Sequence, residues 1–142
     1  MIRAVIFYVS LFVVAASLAQ AEPVNPEGIW RLTDGKVTVK VVHCNGNNIC
    51  ANIVALAHPV LPDGSPLFDV MNPNHALRGR HVMGLPVIQG MVPTGNNTWR
   101  GQIYNADDGG TYNAYATVNG ANLQVKGCWI VFCRDMNFTK LK

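Results

Sequence analysis

IYNADDGGTYNAYATVNGANLQVK, from Ile103 to Lys126, is the stretch that decides the fold. Apolar and polar residues alternate with a period of two on both sides of two turn signals, Asn105-Ala106-Asp107-Asp108-Gly109-Gly110 and Asn119-Gly120. A bare Asn-Gly step accepts the positive φ angles of a type I′ turn, whose twist matches that of paired strands. The stretch therefore writes consecutive antiparallel hairpins.

The same period recurs outward from there, and no window of residues 22–142 carries a helical one. Val37, Val39 and Val41 alternate with polar neighbours, and Ile49, Ala51, Ile53 and Ala55 follow an Asn-rich turn. Further strands are expected over 29–33, 82–92 (interrupted by Gly84, Pro86 and Gly90), 99–104, 111–118, 121–128 and 136–141. The fold class is all-β. About eight short strands in about 120 residues suit a small antiparallel meander barrel, since closure removes the edges that invite aggregation. A two-sheet β-sandwich gives the same alternation and is the alternative. Residues 58–80 do not alternate and carry Pro59, Pro62, Pro66 and Pro73, so they form a long Pro-rich loop with at most a helical turn at 76–78.

Residues 1–21 combine one cation, Arg3, an apolar run from Ala4 to Ala16, and Ala19-Gln20-Ala21. That is the layout of a secretory signal cleaved after Ala21, and the run is short for a membrane span of roughly 20 residues. A single domain over 22–142, periplasmic or secreted, is expected. It carries ten Lys and Arg against eight Asp and Glu, scattered along the chain, which does not indicate nucleic-acid binding. The four cysteines fall as two close pairs, Cys44 with Cys50 and Cys128 with Cys133. Each pair brackets a turn, at 45–48 and 130–132, so in an exported chain two local disulfides are the natural reading among three connectivities, and neither pair has zinc-knuckle spacing.

Reaction centres are hard to find. Ser65 is the only serine after residue 21 and sits in a turn sequence, Asp63-Gly64-Ser65-Pro66. Without an activated nucleophile there is no case for acyl transfer. Asp107 and Asp108 are adjacent carboxylates suited to supporting a turn. His43, His58, His75 and His81 have no metal-ligand spacing, so no metal or cofactor is expected. The chain is expected not to be an enzyme.

A binding constellation is the better candidate. Trp99, Tyr104, Tyr112, Tyr115 and Trp129 offer amphipathic aromatic surface, and Arg78, Arg80 and Lys126 offer a polar anchor for a carboxylate or phosphate. The same aromatics also suit any pleated surface. An inner row of small residues is expected at Ala51, Ala55, Gly101, Ala114, Ala116, Ala121 and Gly127. Such a row leaves room for a ligand, or marks a narrow barrel filled by Trp30, Trp99, Ile103 and Leu123. The filled reading is favoured because small barrels pack their interior with side chains.

Several motifs resemble one family in order and spacing: Gly28-Ile29-Trp30, Asn72-Pro73 with Leu77-Arg78, Gly84-Leu85-Pro86-Val87-Ile88, Trp99-x-Gly101-x-Ile103-Tyr104, Asp108-Gly109-x-Thr111-Tyr112 and Leu123-x-Val125-x-Gly127. The chain resembles the bacterial exported proteins grouped as domain of unknown function twenty-one forty-seven. The resemblance implies a lipocalin-like barrel of the calycin kind. It also implies that Trp30 plugs one end beneath a cation of the last strand, here Lys140. Lys140 stands where family members usually carry Arg, and its point charge implies a looser cap than a planar guanidinium would give. The resemblance implies no activity. Two functions remain in view: binding of a small apolar or amphipathic molecule, and a protein-interaction module of inhibitor or envelope-stress type that uses the 58–80 loop.

Overall fold

Residues 103–126 fall on β5 (Thr98–Asn105), β6 (Gly110–Asn119) and β7 (Asn122–Trp129). They pair in an unbroken antiparallel register from Asn105↔Gly110 to Thr98↔Thr117 and from Asn119↔Asn122 to Asn113↔Cys128. The β6–β7 turn has Gly120 and Ala121 at its centre, one residue later than the Asn-Gly step suggested. Gly120 is its left-handed residue, at φ 58°. That is the II′ pattern, which needs glycine only at the first central position, and it places Ala121 in the turn rather than in the barrel wall.

The computed structural model describes residues 13–142. Of the signal expected at 1–21, residues 1–12 lie outside the described residues, and 13–21 carry no regular secondary structure. The remaining strands are β1 (Gly28–Leu32), β2 (Val37–Cys44), β3 (Asn48–Leu56), β4 (Pro86–Pro93) and β8 (Phe132–Lys140). Each pairs with its successor, and β1 returns to β8 through Trp30↔Lys140, Arg31↔Thr139 and Leu32↔Phe138. The chain is thus a closed eight-stranded meander barrel; a sandwich would have left β1 and β8 in separate sheets. Backbone bonds from Ile29 N–H to Lys142 O (2.9 Å) and from Leu141 N–H to Ile29 O (2.7 Å) extend the closing seam.

Two boundaries differ from the sequence reading. β4 begins at Pro86, so residues 82–85 belong to the long connection from β3. β8 begins at Phe132, four residues before the expected start, because the β7–β8 turn is just Ile130-Val131. Ile130 adopts a left-handed φ of 55°, which a β-branched residue rarely does, so no turn-forming residue marks the place. The pairs Cys44–Cys50 and Cys128–Cys133 are both disulfide-bonded, each at the tip of a hairpin.

The wall alternates as a closed barrel requires. Trp30, Val41, Ile49, Met91, Trp99, Val118, Leu123 and Val125 are buried together toward one end. Small residues there admit large ones: a Cβ at Gly101 would lie 2.8 Å from Met91 Cγ, and Ala116 is the register partner of Trp99. A register shift between Thr38 and Val39 leaves Ala55 exposed and puts Leu56 on the inner side beside Val37.

Candidate functional site

The two ends of the barrel are built differently. The turns 45–47, 94–97 and 120–121 close one end, and the connections 33–36, 57–85, 106–109 and 130–131 surround the other. At the closed end Trp30 is fully buried and its indole N–H donates to Pro26 O (3.0 Å). Lys140 Nζ stands 5.2 Å from the Trp30 ring centroid, a cation over an aromatic face. Gly28 permits this: at φ 148° a side chain there would collide with Lys142 O and lie 2.6 Å from Lys140 Cε. The approaching segment is tied down by Val24 N–H to Asn96 O (2.9 Å). Glu27 accepts from His43 N–H (3.0 Å) and faces His43 Nδ1 (3.1 Å); these bonds hold its carboxyl below the ordinary range.

At the other end the interior opens into a cavity of about 1040 Å³. That is at the upper end of the range for small-molecule sites. Leu32, Val37, Val39, Ile53, Val87 and Ile103 form its wall, and Phe138 its deep side. Gly127 also lines it, where a Cβ would sit in ordinary contact with Ile103 Cγ2 (3.6 Å), Met136 Cε (3.8 Å) and Tyr112 Cβ (3.8 Å). The filled interior favoured by the sequence therefore describes only half of the barrel.

The long connection arches over this mouth and is held by a polar cluster around Asp69, whose side chain is wholly buried. Its carboxylate accepts from Tyr104 OH (2.5 Å), Asn72 Nδ2 (2.8 Å) and Arg80 Nε (2.9 Å). Burial pushes the Asp69 carboxyl upward, but those three hydrogen bonds outweigh it and hold the group below the ordinary carboxylate range. The opposite holds for Tyr104, whose hydroxyl is raised by burial and by Asp69. Arg78 Nε donates to Asn72 O (2.8 Å), and Asn74 Oδ1 caps the short helical turn His75–Leu77 at Ala76 N–H (3.1 Å).

The loop meets the β5–β6 turn backbone to backbone. At Gly109, φ 71°, any side chain would strike Met71 O. Beside it, Asp108 accepts from Gly110 N–H (2.7 Å) and from Tyr112 OH (2.5 Å). The second bond lowers the Asp108 carboxyl and raises the Tyr112 hydroxyl. Asn72-Pro73 and Asp108-Gly109-x-Thr111-Tyr112, remote in sequence, are thus the two halves of one clasp at the mouth.

The residues singled out from sequence go to different places. Tyr112 and Tyr104 line the cavity. Trp99 is buried at the closed end, donating to Asn47 O (3.3 Å). Tyr115 and Lys126 are register partners on the outer wall, where Lys126 Nζ lies 4.0 Å from Asp135. Arg78 and Arg80 are engaged in the loop. Trp129 stands at the rim.

Two cations line the cavity: Lys36, 3.6 Å from Asp34, and Arg134, which is in register with Gly127 and through it with Ala114, two residues from Tyr112 on the same strand. Arg134 shares the inner face of β8 with Met136 and Phe138, and among the described residues it forms no salt bridge. The alternation Phe132-x-Arg134-x-Met136-x-Phe138 carried that signal, but starting the strand at Met136 hid it. Among the described residues no three His, Cys, Asp or Glu side chains gather to hold a metal.

Known proteins bear on this architecture. The family profile described as "Uncharacterized protein conserved in bacteria (DUF2147)" matches residues 28–140, and the chain belongs to that family. Its fold is similar to that of protein HP1028 from the human pathogen Helicobacter pylori, described as belonging to the lipocalin family. The TM-score is 0.70 at 24% identity, over 84% of each chain. At that identity the likeness is one of fold. Comparison with curated proteins finds no match.

Proposed function

We propose that this lipocalin-like member of a bacterial family is an exported carrier for a small amphipathic molecule, an apolar tail with an anionic head. The observation that carries this reading is the half-open, largely apolar cavity with Arg134 at its mouth. An acyl tail would replace water along Val39, Ile53 and Ile103, gaining roughly 25 cal/mol for each Å² of apolar surface covered. A carboxylate or phosphate would sit at Arg134, whose planar fork suits such groups and which has no carboxylate partner in the wall. Tyr112 cannot supply a negative charge at neutral pH, because its hydrogen bond to Asp108 raises the hydroxyl's pKa.

Two disulfides in a bacterial family favour export, since the cytosol keeps such pairs reduced. Among the described residues no helix is long and apolar enough to cross a membrane. A wall rich in aliphatic side chains, with the cations Lys36 and Arg134 at its rim, supports binding as the reading.

Retention of a fluorescent fatty-acid probe tests the reading, with two substitutions that act differently. Gly127→Leu starts in ordinary van der Waals contact with Ile103, Met136 and Tyr112 and carries its bulk toward the cavity, so it should abolish retention with little change in the unfolding midpoint. Arg134→Gln should weaken binding of the acid probe roughly tenfold, about the worth of one charged hydrogen bond, while leaving an uncharged analogue unaffected. Probe retention unchanged by both substitutions would refute the carrier reading.

A further inference from the structure

The turn Ile130-Val131 and its flanking pair Trp129↔Phe132 form four consecutive apolar residues at the end of a hairpin. Their exposures are 62%, 79%, 79% and 73% along the chain from Trp129 to Phe132. The disulfide Cys128–Cys133 lies directly beneath and fixes the strands there, so the tip projects from the barrel. The other disulfide-braced hairpin shows that this composition is not demanded by the fold. Its turn is Asn45-Gly46-Asn47, with Asn45 at φ 49° and Gly46 at φ 77°, residues suited to left-handed backbone and to water. At the β7–β8 tip the same need for positive φ is met by an isoleucine, at a steric cost that Asn or Gly would avoid. An apolar side chain is thus kept at the outermost position against local preference, which points to a role in contact.

Trp129 and Phe132 also line the cavity mouth, and across it stand Phe68, Val70 and Met71 of the long loop, Val70 and Met71 at 62% and 52% exposure. Apolar projections therefore rise from two separate elements around one opening. The tip alone offers on the order of 500 Å² of apolar surface. That is less than the roughly 800 Å² each partner contributes to a standard protein interface, and the tip is convex. A fluid apolar phase covers separated projections together without needing a matching shape, and Trp is enriched where such a phase meets water.

We propose that the hairpin tip Trp129–Phe132 docks on a lipid bilayer and presents the open end of the barrel to the membrane surface. Docking stands on the tip itself; only the further step, passage of a ligand between bilayer and cavity, rests on the carrier reading.

The test uses the purified protein with vesicles of phosphatidylcholine and phosphatidylglycerol. Trp30 and Trp99 are buried, so a blue shift of tryptophan emission reports Trp129. The expected result is cosedimentation, a blue shift, and quenching by lipids brominated on their acyl chains. The double substitution Ile130→Ser with Val131→Ser should weaken partitioning roughly tenfold or more at an unchanged unfolding midpoint. Wild-type protein that stays in the supernatant without a shift overturns the proposal. So does a double variant that partitions like wild type, or a lipid-free dimer that the double substitution dissolves, which would assign the tip to self-association. Vesicle binding by a protein that retains no fatty-acid probe supports docking and sinks the carrier reading, so the two fail separately.

Discussion

One barrel has two ends that use the same kinds of residue for opposite purposes. At the closed end glycine and alanine make room for bulk: Gly101 admits Met91, Ala116 sits beside Trp99, and Gly28 lets Lys140 reach over Trp30. At the open end Gly127 lines a space that no side chain fills, and it stays a cavity. The braced hairpins divide in the same way, polar at the closed end and apolar at the open one. The difference teaches that one lipocalin-like barrel can hold a packed core at one end and an open cavity at the other.

The largest expected effect would break that comparison at its base. Trp30→Ala removes the largest fully buried side chain of the closed end and should cost about 3–5 kcal/mol in urea unfolding. A cost below about 1 kcal/mol would mean that the closed end does not anchor the fold.

A middle-sized effect belongs to the clasp over the mouth. Asp69→Asn deprives Arg80 of its charge partner and weakens the bond from Tyr104, for an expected loss of about 1–3 kcal/mol. Hydrogen exchange should rise across residues 67–82 while the closed end keeps its protection; uniform loss of protection would show that the two ends unfold as one. The same carboxylate predicts a pH dependence. Its folded pKa lies below the unfolded value of about 3.9, so its contribution is present above that pH and is lost as pH falls through the folded value. Wild-type loop amides should therefore begin to exchange faster below about pH 4, and those of Asp69→Asn should lack that step.

The smallest effect sharpens the picture of the plug. Lys140→Ala removes a half-buried cation over Trp30 and should cost about 0.5–1 kcal/mol, with Lys140→Arg at least as stable as wild type because its planar group stacks on the indole. An equal loss in both variants would assign Lys140 to packing of its aliphatic stem.

Much of the barrel was legible because its signals are local. Period-two alternation and Gly-bearing turns mark strands without reference to the rest of the chain, and closely spaced cysteines pair across the hairpins they bracket. The site was less legible. The place of Tyr112 on the cavity lining was legible because it lies in an alternating segment of clear phase. Arg134 was missed although the cysteines bracketed a turn at 130–132, because the last strand was expected to start only at Met136, and its first four residues were left without a phase. Tyr115 and Lys126 looked like parts of one site, and they are indeed neighbours, but parity places them on the outer wall between buried Ala114, Ala116 and Val125. The Pro-rich loop read as a loop, yet nothing local said that Asn72 and Asp108-Gly109 would meet.

By itself the sequence determined that the chain forms antiparallel strands in a meander, because alternation and turn chemistry are properties of neighbouring residues. Only the tertiary structure decided which small residues are filled against and which leave a cavity, which cations line it, and which apolar side chains remain uncovered. Each of those depends on what the opposite wall contributes to a shared volume. A barrel wall becomes a core or a container according to side chains that lie far away along the chain.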